Sequence, residues 1–195
     1  MAEPHSHHFH PDRRYVLLRE ERYQAMPPER VLGWLPLRPD ATVADIGCGP
    51  GFFSLPLAER LPRGTLYAVD LEPVMLDTVR ERMEAAGLTN IRLVRATEDG
   101  VPLDPASLDG AFLSMVYHEI ADRPAYLAML GGLLRPDGWL AILDWEKRQN
   151  PGGGTPLERR LAPEEVAADL DAAGWAVVAR HAPHEWSYLL LARRR

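Results

Sequence analysis

From Thr42 onward, short continuous apolar runs alternate with segments whose apolar residues recur every three or four positions. The runs TVADI (42–46), GTLYAVD (64–70), NIRLVRA (90–96), LDGAFLSM (108–115) and GWLAILDW (138–145) predict strands. Helices are predicted between them. GFFSLPLAERL (51–61) follows the first strand. EPVMLDTVRERMEAAGL (72–88) is the clearest, with Met75, Val79 and Met83 at helical spacing and Gly87 as its stop. DRPAYLAMLGGLL (122–134) carries Asp122 as its cap. PEEVAADLDAAG (163–174) buries Val166 and Leu170 on one face, but Ala162 stands where a capping side chain is expected. WAVVARHA (175–182) and EWSYLLLARR (185–194) close the chain as an antiparallel pair.

Ahead of this region the pattern is weaker. Residues 1–12 are rich in His and Pro. Arg13 to Gln24 reads as a short helix with Val16, Leu17 and Tyr23 on its apolar side. Pro27-Pro28 ends it, and Pro28 opens a second helix over Glu29 to Leu35. We divide the chain into a tail and lid segment, 1–30, and a main domain, 31–195.

Regular alternation of strand and helix implies a parallel sheet with helices on both faces. The expected fold is α/β, a Rossmann-like doubly wound, seven-stranded, mostly parallel sheet with an antiparallel C-terminal hairpin and an N-terminal helical segment. Such sheets bind ligands beyond the carboxyl ends of their strands. The residues after each strand are therefore the ones to weigh.

After strand one stand Asp45, Gly47, Cys48, Gly49 and Gly51. Glycine lets a ligand lie against the main chain, and the following helix N-terminus favours an anion. Asp70 ends strand two, 19 residues beyond Gly51, where a carboxylate can accept both hydroxyls of a ribose. The dinucleotide fingerprint G-x-G-x-x-G does not fit, because Phe52 occupies its last position. There is no phosphate-loop lysine motif. Asp45 suits a ligand that bears an ammonium group.

VADIGCGPG and AVDLEPVML resemble the first two motifs of the class I S-adenosylmethionine-dependent methyltransferases. The resemblance runs from about Val31 to the C-terminus. It is similar in particular to the branch that includes the ubiquinone and menaquinone C-methyltransferases. It implies S-adenosyl-L-methionine as cofactor, with Asp45 and Gly47 to Gly51, including Cys48, under its amino-acid end. It places Asp70 on the ribose, Leu71 on the adenine, Thr97 and Glu98 at the adenine edge, and Ser114 near the methionine portion. The family often has an acid where this chain has Ala96.

Methyl transfer is an in-line displacement that rests mostly on positioning. A base is needed only when the acceptor holds its proton at neutral pH. His118 and Asp144, after strands four and five, are the catalytic candidates. His118 either takes that proton, lines the acceptor pocket, caps the next helix or packs beneath the loop. Asp144 either orients the acceptor or bonds to loop amides, and Trp145 either lines the pocket or packs. Tyr15, Arg19 and Tyr23 either meet substrate from a lid or pack on the outer face. The competing reading is an adenosylmethionine-binding protein with a regulatory or non-transfer role. It has no need of the polar set His118, Glu119 and Asp144.

Composition narrows the partners. The net charge of −6 disfavours an extended nucleic-acid surface, and no apolar run is long enough to span a membrane. The single cysteine, Cys48, excludes an internal disulfide and fits the cytoplasm; in the glycine loop it reads as a small residue rather than a nucleophile. His5, His7, His8 and His10 lack a second-shell acid pattern, so no metal site is expected. The expected partner is a small-molecule acceptor, whose identity is left open, as is a homodimer.

Overall fold

A computed structural model describes residues 11–97, 100–149 and 154–195. The N-terminal histidines, Glu98 and Asp99 lie outside the described residues. A 3-10 segment, Pro11–Leu18, leads into α1 (Glu20–Ala25) and α2 (Pro28–Leu32). The expected helix from Arg13 to Gln24 is thus two pieces. β1 (Thr42–Ile46), α3 (Ser54–Glu59), β2 (Thr65–Asp70), α4 (Pro73–Ala85) and β3 (Ile91–Arg95) follow. Then come β4 (Leu108–Ser114), α5 (Arg123–Leu133), β5 (Leu134–Trp145), α6 (Pro163–Ala172), β6 (Trp175–His184) and β7 (Ser187–Arg194).

The seven strands form one sheet in the order β3-β2-β1-β4-β5-β7-β6. β1 to β5 are parallel, and β7 inserts antiparallel between β5 and β6. Strand order reverses between β1 and β4, so the ligand crevice of this fold opens at their carboxyl ends.

Alternation along the central strands fills both faces of the sheet. Val43, Phe112, Leu143 and Leu189 join Leu57 and Val79 on one side. Ala44, Leu113, Ile142 and Leu190 join Leu127, Leu130 and Val166 on the other. A parallel sheet covered on both faces needs such nearly continuous apolar strands. At the end of the sheet away from the crevice, Asp109 accepts from the Thr42 amide at 2.7 Å, Arg38 at 3.1 Å and Arg135 at 2.7 Å.

The expected caps are split. Asp122 accepts the Ala125 amide at 3.0 Å. Ala162 has no oxygen to offer, but Glu165 reaches back to accept the Ala162 N–H at 2.7 Å. That supplies half of a capping box.

Candidate functional site

The turn after β1 carries three glycines at positive φ, Gly47 (68°), Gly49 (52°) and Gly51 (83°). The amides of Gly47 and Cys48 donate to the Val69 carbonyl at 2.8 and 2.9 Å, tying the turn to β2. Asp70, at the end of β2, accepts the Gly49 N–H at 2.8 Å on one oxygen and the Glu72 N–H at 3.0 Å on the other. Burial raises its carboxyl above the ordinary value, against those two bonds.

Asp45 is buried at the end of β1, where Ser54 donates to it at 2.6 Å. Burial raises its carboxyl to about 7. The Ser54 bond and the Arg22 charge oppose that rise, and the Asp70 charge adds to it. Burial also pushes the Cys48 thiol well up, so it is an inert thiol rather than a thiolate.

The N-terminal segment lies over this turn. A Cβ placed on Gly49 would sit 3.6 Å from Leu17 Cδ1. Tyr23 packs on Phe52 with ring centroids 4.5 Å apart. Arg82 on α4 donates to the Pro50 carbonyl at 2.7 Å and to the Tyr23 hydroxyl at 3.3 Å, clamping turn and segment together. Tyr15 points into solvent instead. Arg22 sits over the Phe52 ring at 4.3 Å and donates to the Leu17 carbonyl at 3.1 Å. Burial lowers its guanidinium to about 10. Among the described residues no carboxylate lies within ion-pair distance of it.

The ends of β4 and β5 form the adjoining wall. A Cβ on Gly47 would stand 2.3 Å from Val116 Cγ2, so the turns after β1 and β4 touch. Ser114 closes β4 with its hydroxyl buried and unpartnered among the described residues. Met115 adopts φ 60°, uncommon outside glycine, and its N–H donates to the Leu143 carbonyl at 2.8 Å. This left-handed step turns the chain out of the strand, a form of backbone strain found at functional sites.

Val116 then leads into a single 3-10 turn, Tyr117–Glu119. Tyr117 points away from the crevice and donates to Asp169 at 3.2 Å. His118 Nδ1 lies 2.7 Å from Asp144 Oδ1, and the His118 amide donates to the other oxygen of Asp144 at 3.1 Å. The Trp145 amide donates to Asp144 at 2.8 Å. Asp144 therefore bonds both to the imidazole and to loop amides. Thr155 Oγ1 sits 2.9 Å from His118 Nε2, and Glu119 Oε1 lies 3.9 Å from it. Arg160 secures this corner. It donates to the Thr155 carbonyl at 2.6 Å and to the Arg148 carbonyl at 2.9 Å, and it lies 5.4 Å above the Trp145 ring.

Two groups of expected residues thus meet. Asp45, Gly47, Cys48, Gly49, Gly51 and Asp70 form the floor, and Ser114, His118 and Asp144 form the wall beside it. Leu71 is half-buried directly after Asp70. Thr97 is exposed and pairs with Gly100, while the Ala96 amide donates to the Asp70 carbonyl at 2.9 Å, bringing the end of β3 beside the floor. Arg22, Ser54, Thr155 and Arg160 are contributors that sequence reasoning missed. Among the described residues no group of His, Cys, Asp and Glu could hold a metal ion.

A methyltransferase-domain family matches residues 43–138. The malonyl-[acyl-carrier protein] O-methyltransferase of Serratia marcescens is 39% identical over 110 residues, covering 56% of this chain and 40% of that protein. The trans-aconitate 2-methyltransferase of Azoarcus sp. (strain BH72) is 32% identical over 173 residues, covering 84% and 64%. The chain therefore spans 40 to 64% of the length of these two curated relatives. Among solved structures, an S-adenosylmethionine-dependent methyltransferase from Aquifex aeolicus superposes with a TM-score of 0.90 at 28% identity, covering 95% of this chain and 98% of that one. The doubly wound sheet with its antiparallel end is the fold of that enzyme, and the resemblance carried by VADIGCGPG and AVDLEPVML is borne out.

Proposed function

This chain belongs to the class I S-adenosylmethionine-dependent methyltransferases, and from that premise we propose that it methylates a hydroxyl group on a small molecule. When bound, the cofactor supplies an electrophilic methyl carbon on a sulfonium sulfur.

The crevice residues fit this cofactor. Its amino-acid end is a zwitterion, and the floor offers one complement to each charge. Asp45 is a buried acid with no cationic ion-pair partner among the described residues, suited to the ammonium. Arg22 is a partly buried cation with no carboxylate partner among the described residues, suited to the carboxylate. Asp70 stands at the strand end where it suits the ribose hydroxyls, with Leu71 and Thr97 on the adenine side. The unpartnered Ser114 hydroxyl faces the methionine portion in this reading.

One observation carries the choice of acceptor, the 2.7 Å contact between His118 Nδ1 and Asp144 Oδ1 at the crevice wall. A carboxylate on Nδ1 fixes the tautomer and leaves Nε2 basic, and it stabilises the imidazolium that forms when a proton arrives. An acceptor with no proton to lose needs no such pair. A phenol, an enol or a hydroquinone does. The acidic surface and single cysteine support a soluble small-molecule reaction in a reducing cytoplasm. No described helix is long and apolar enough to cross a membrane.

The test joins binding to transfer. Calorimetric titration should show adenosylmethionine and its demethylated product binding at micromolar concentrations, with NAD not binding and Asp70→Ala losing most of the affinity. Labelled methyl transfer should then be followed across catechol, hydroquinone, amine, thiol and carboxylate acceptors, with His118→Ala and Asp144→Asn beside wild type. Transfer to hydroxyl acceptors that both substitutions abolish supports the reading. Tight cofactor binding with transfer only to carboxylates, unaffected by His118→Ala, refutes it.

A further inference from the structure

We propose that the Thr155 hydroxyl, and not the imidazole, meets the acceptor, passing the acceptor's proton on to His118. The proposal rests on the reading of His118 as the base. The His118 side chain is 3% exposed and that of Asp144 1%, so the ring offers an incoming molecule no open face. Both ring nitrogens are engaged, Nδ1 with Asp144 and Nε2 with Thr155. Thr155 is half-buried, so of the three bonded side chains it is the one that keeps some exposure.

Hydrogen-bond bookkeeping fixes the direction. Asp144 accepts two backbone N–H bonds as well as the ring contact, so Nδ1 carries the ring proton. In the neutral ring Nε2 then holds a lone pair, and Thr155 donates to it. With its one proton committed, the Thr155 oxygen can only accept from whatever binds next. That selects an acceptor bearing an O–H and disfavours a carboxylate, which has no proton to offer. Glu119, with Oε1 3.9 Å from Nε2, adds like-charge repulsion against a carboxylate.

The step balances. The acceptor O–H proton moves to Thr155 Oγ1 as the Thr155 proton moves to Nε2. The acceptor's electron pair forms the bond to the methyl carbon, and the carbon–sulfur bond breaks with its pair staying on sulfur. The imidazolium then stands between Asp144 and Glu119. It returns its proton to solvent through Thr155 after the methylated product leaves. Arg160 is the positioning residue, since it fixes the Thr155 carbonyl at 2.6 Å. An unrestrained hydroxyl would relay poorly, because transfer demands near-attack geometry.

The test compares Thr155→Val, which keeps the shape without the hydroxyl, with Thr155→Ser, which keeps the hydroxyl. In imidazole 15N spectra of the full chain without acceptor, the His118 Nε2 resonance should report an unprotonated nitrogen that accepts a hydrogen bond. It should shift in Thr155→Val and return in Thr155→Ser. With catechol as acceptor, Thr155→Val should lower kcat on the order of 100-fold with KM nearly unchanged, the size of a general-base contribution. Thr155→Ser should recover most of it.

A protonated Nε2, or a resonance indifferent to Thr155→Val, overturns the relay whatever the activity. Full or increased turnover by Thr155→Val, with His118→Ala inactive, also overturns it and leaves His118 as a base that works directly. Catechol turnover unaffected by either substitution removes the base reading and the relay together. Thermal melts of each variant separate loss of relay from loss of fold.

Discussion

Burial of Asp45 has a measurable consequence for stability. Its carboxyl has an ordinary value of 3.8 and is raised to about 7 in the folded chain, with burial as the largest cause. Between those two values the native state holds a proton that the unfolded chain has released. Stability therefore falls as pH rises through this window and levels off above it. At about 1.4 kcal/mol per pH unit of separation, full ionisation costs the fold about 4 kcal/mol. The span from about pH 5 to about pH 8 contains about 2 to 3 kcal/mol of that.

Asp45→Asn isolates the effect. The amide oxygen still accepts from Ser54 Oγ, now 2.6 Å from the carboxylate, but nothing titrates. The assay is thermal and urea unfolding of the ligand-free protein at several pH values, wild type against variant. Expected is a variant that gains about 2 to 3 kcal/mol on wild type between about pH 5 and about pH 8, or about 5 to 10 °C in Tm for a chain of this size. Asp70, whose carboxyl burial also raises, is present in both proteins and largely cancels. Adenosylmethionine should reverse the ranking, because an ammonium beside an ionised Asp45 favours wild type. Parallel stability curves with no divergence across this window would refute the reasoning, since Asp45 would then ionise as an ordinary carboxylate.

Three further outcomes follow from the same geometry. Arg22→Gln should weaken adenosylmethionine binding about 10- to 100-fold by calorimetry, the weight of one charge-assisted contact, while costing ligand-free stability at most about 1 to 2 kcal/mol, since what it loses is the bond to the Leu17 carbonyl and the contact with the Phe52 ring. Asp109→Ala strips the Thr42 amide, Arg38 and Arg135 of their shared acceptor; it should cost about 1 to 3 kcal/mol in urea unfolding with cofactor affinity intact, because it lies at the opposite end of the sheet. Gly47→Ala meets both a φ of 68° and a Val116 methyl at 2.3 Å; backbone strain alone costs about 1 to 2 kcal/mol, so Tm and cofactor affinity should fall together.

The floor of the crevice was legible because it is nearly contiguous. Asp45 and the three glycines sit in one turn, and Asp70 follows a strand, helix and strand that each announce themselves by period. Parallel pairing of β1 with β2, and of Asp45 with Ala68, then brings the two acids to one edge. Boundaries were less legible where tertiary contacts set them. The expected helix from Gly51 begins only at Ser54, because the glycine turn consumes its first residues. β5 starts at Leu134 rather than Gly138, since Leu134 pairs with Leu108 across a register shift. The N-terminal helix breaks near Arg19, where no periodic pattern marked a division.

The wall of the crevice depends on contacts that local pattern cannot encode. His118 and Asp144 are 26 residues apart, and Thr155 stands 37 beyond His118. Each candidate was visible as a polar residue following a strand, but their bonding needs β4 and β5 to end level, which the pairing of Ser114 with Leu143 provides. Thr155 follows no strand and belongs to no motif. It comes into place because Arg160 folds back on the end of β5 and grips both flanks of the loop through the Glu146, Arg148 and Thr155 carbonyls. In the sequence, Arg160 is one arginine among many. The division has a physical origin: the floor is a backbone turn and strand-end acids that recur as a motif, whereas the wall is made of side chains on late loops. The chemistry of those loops is written in tertiary contacts and not in spacing.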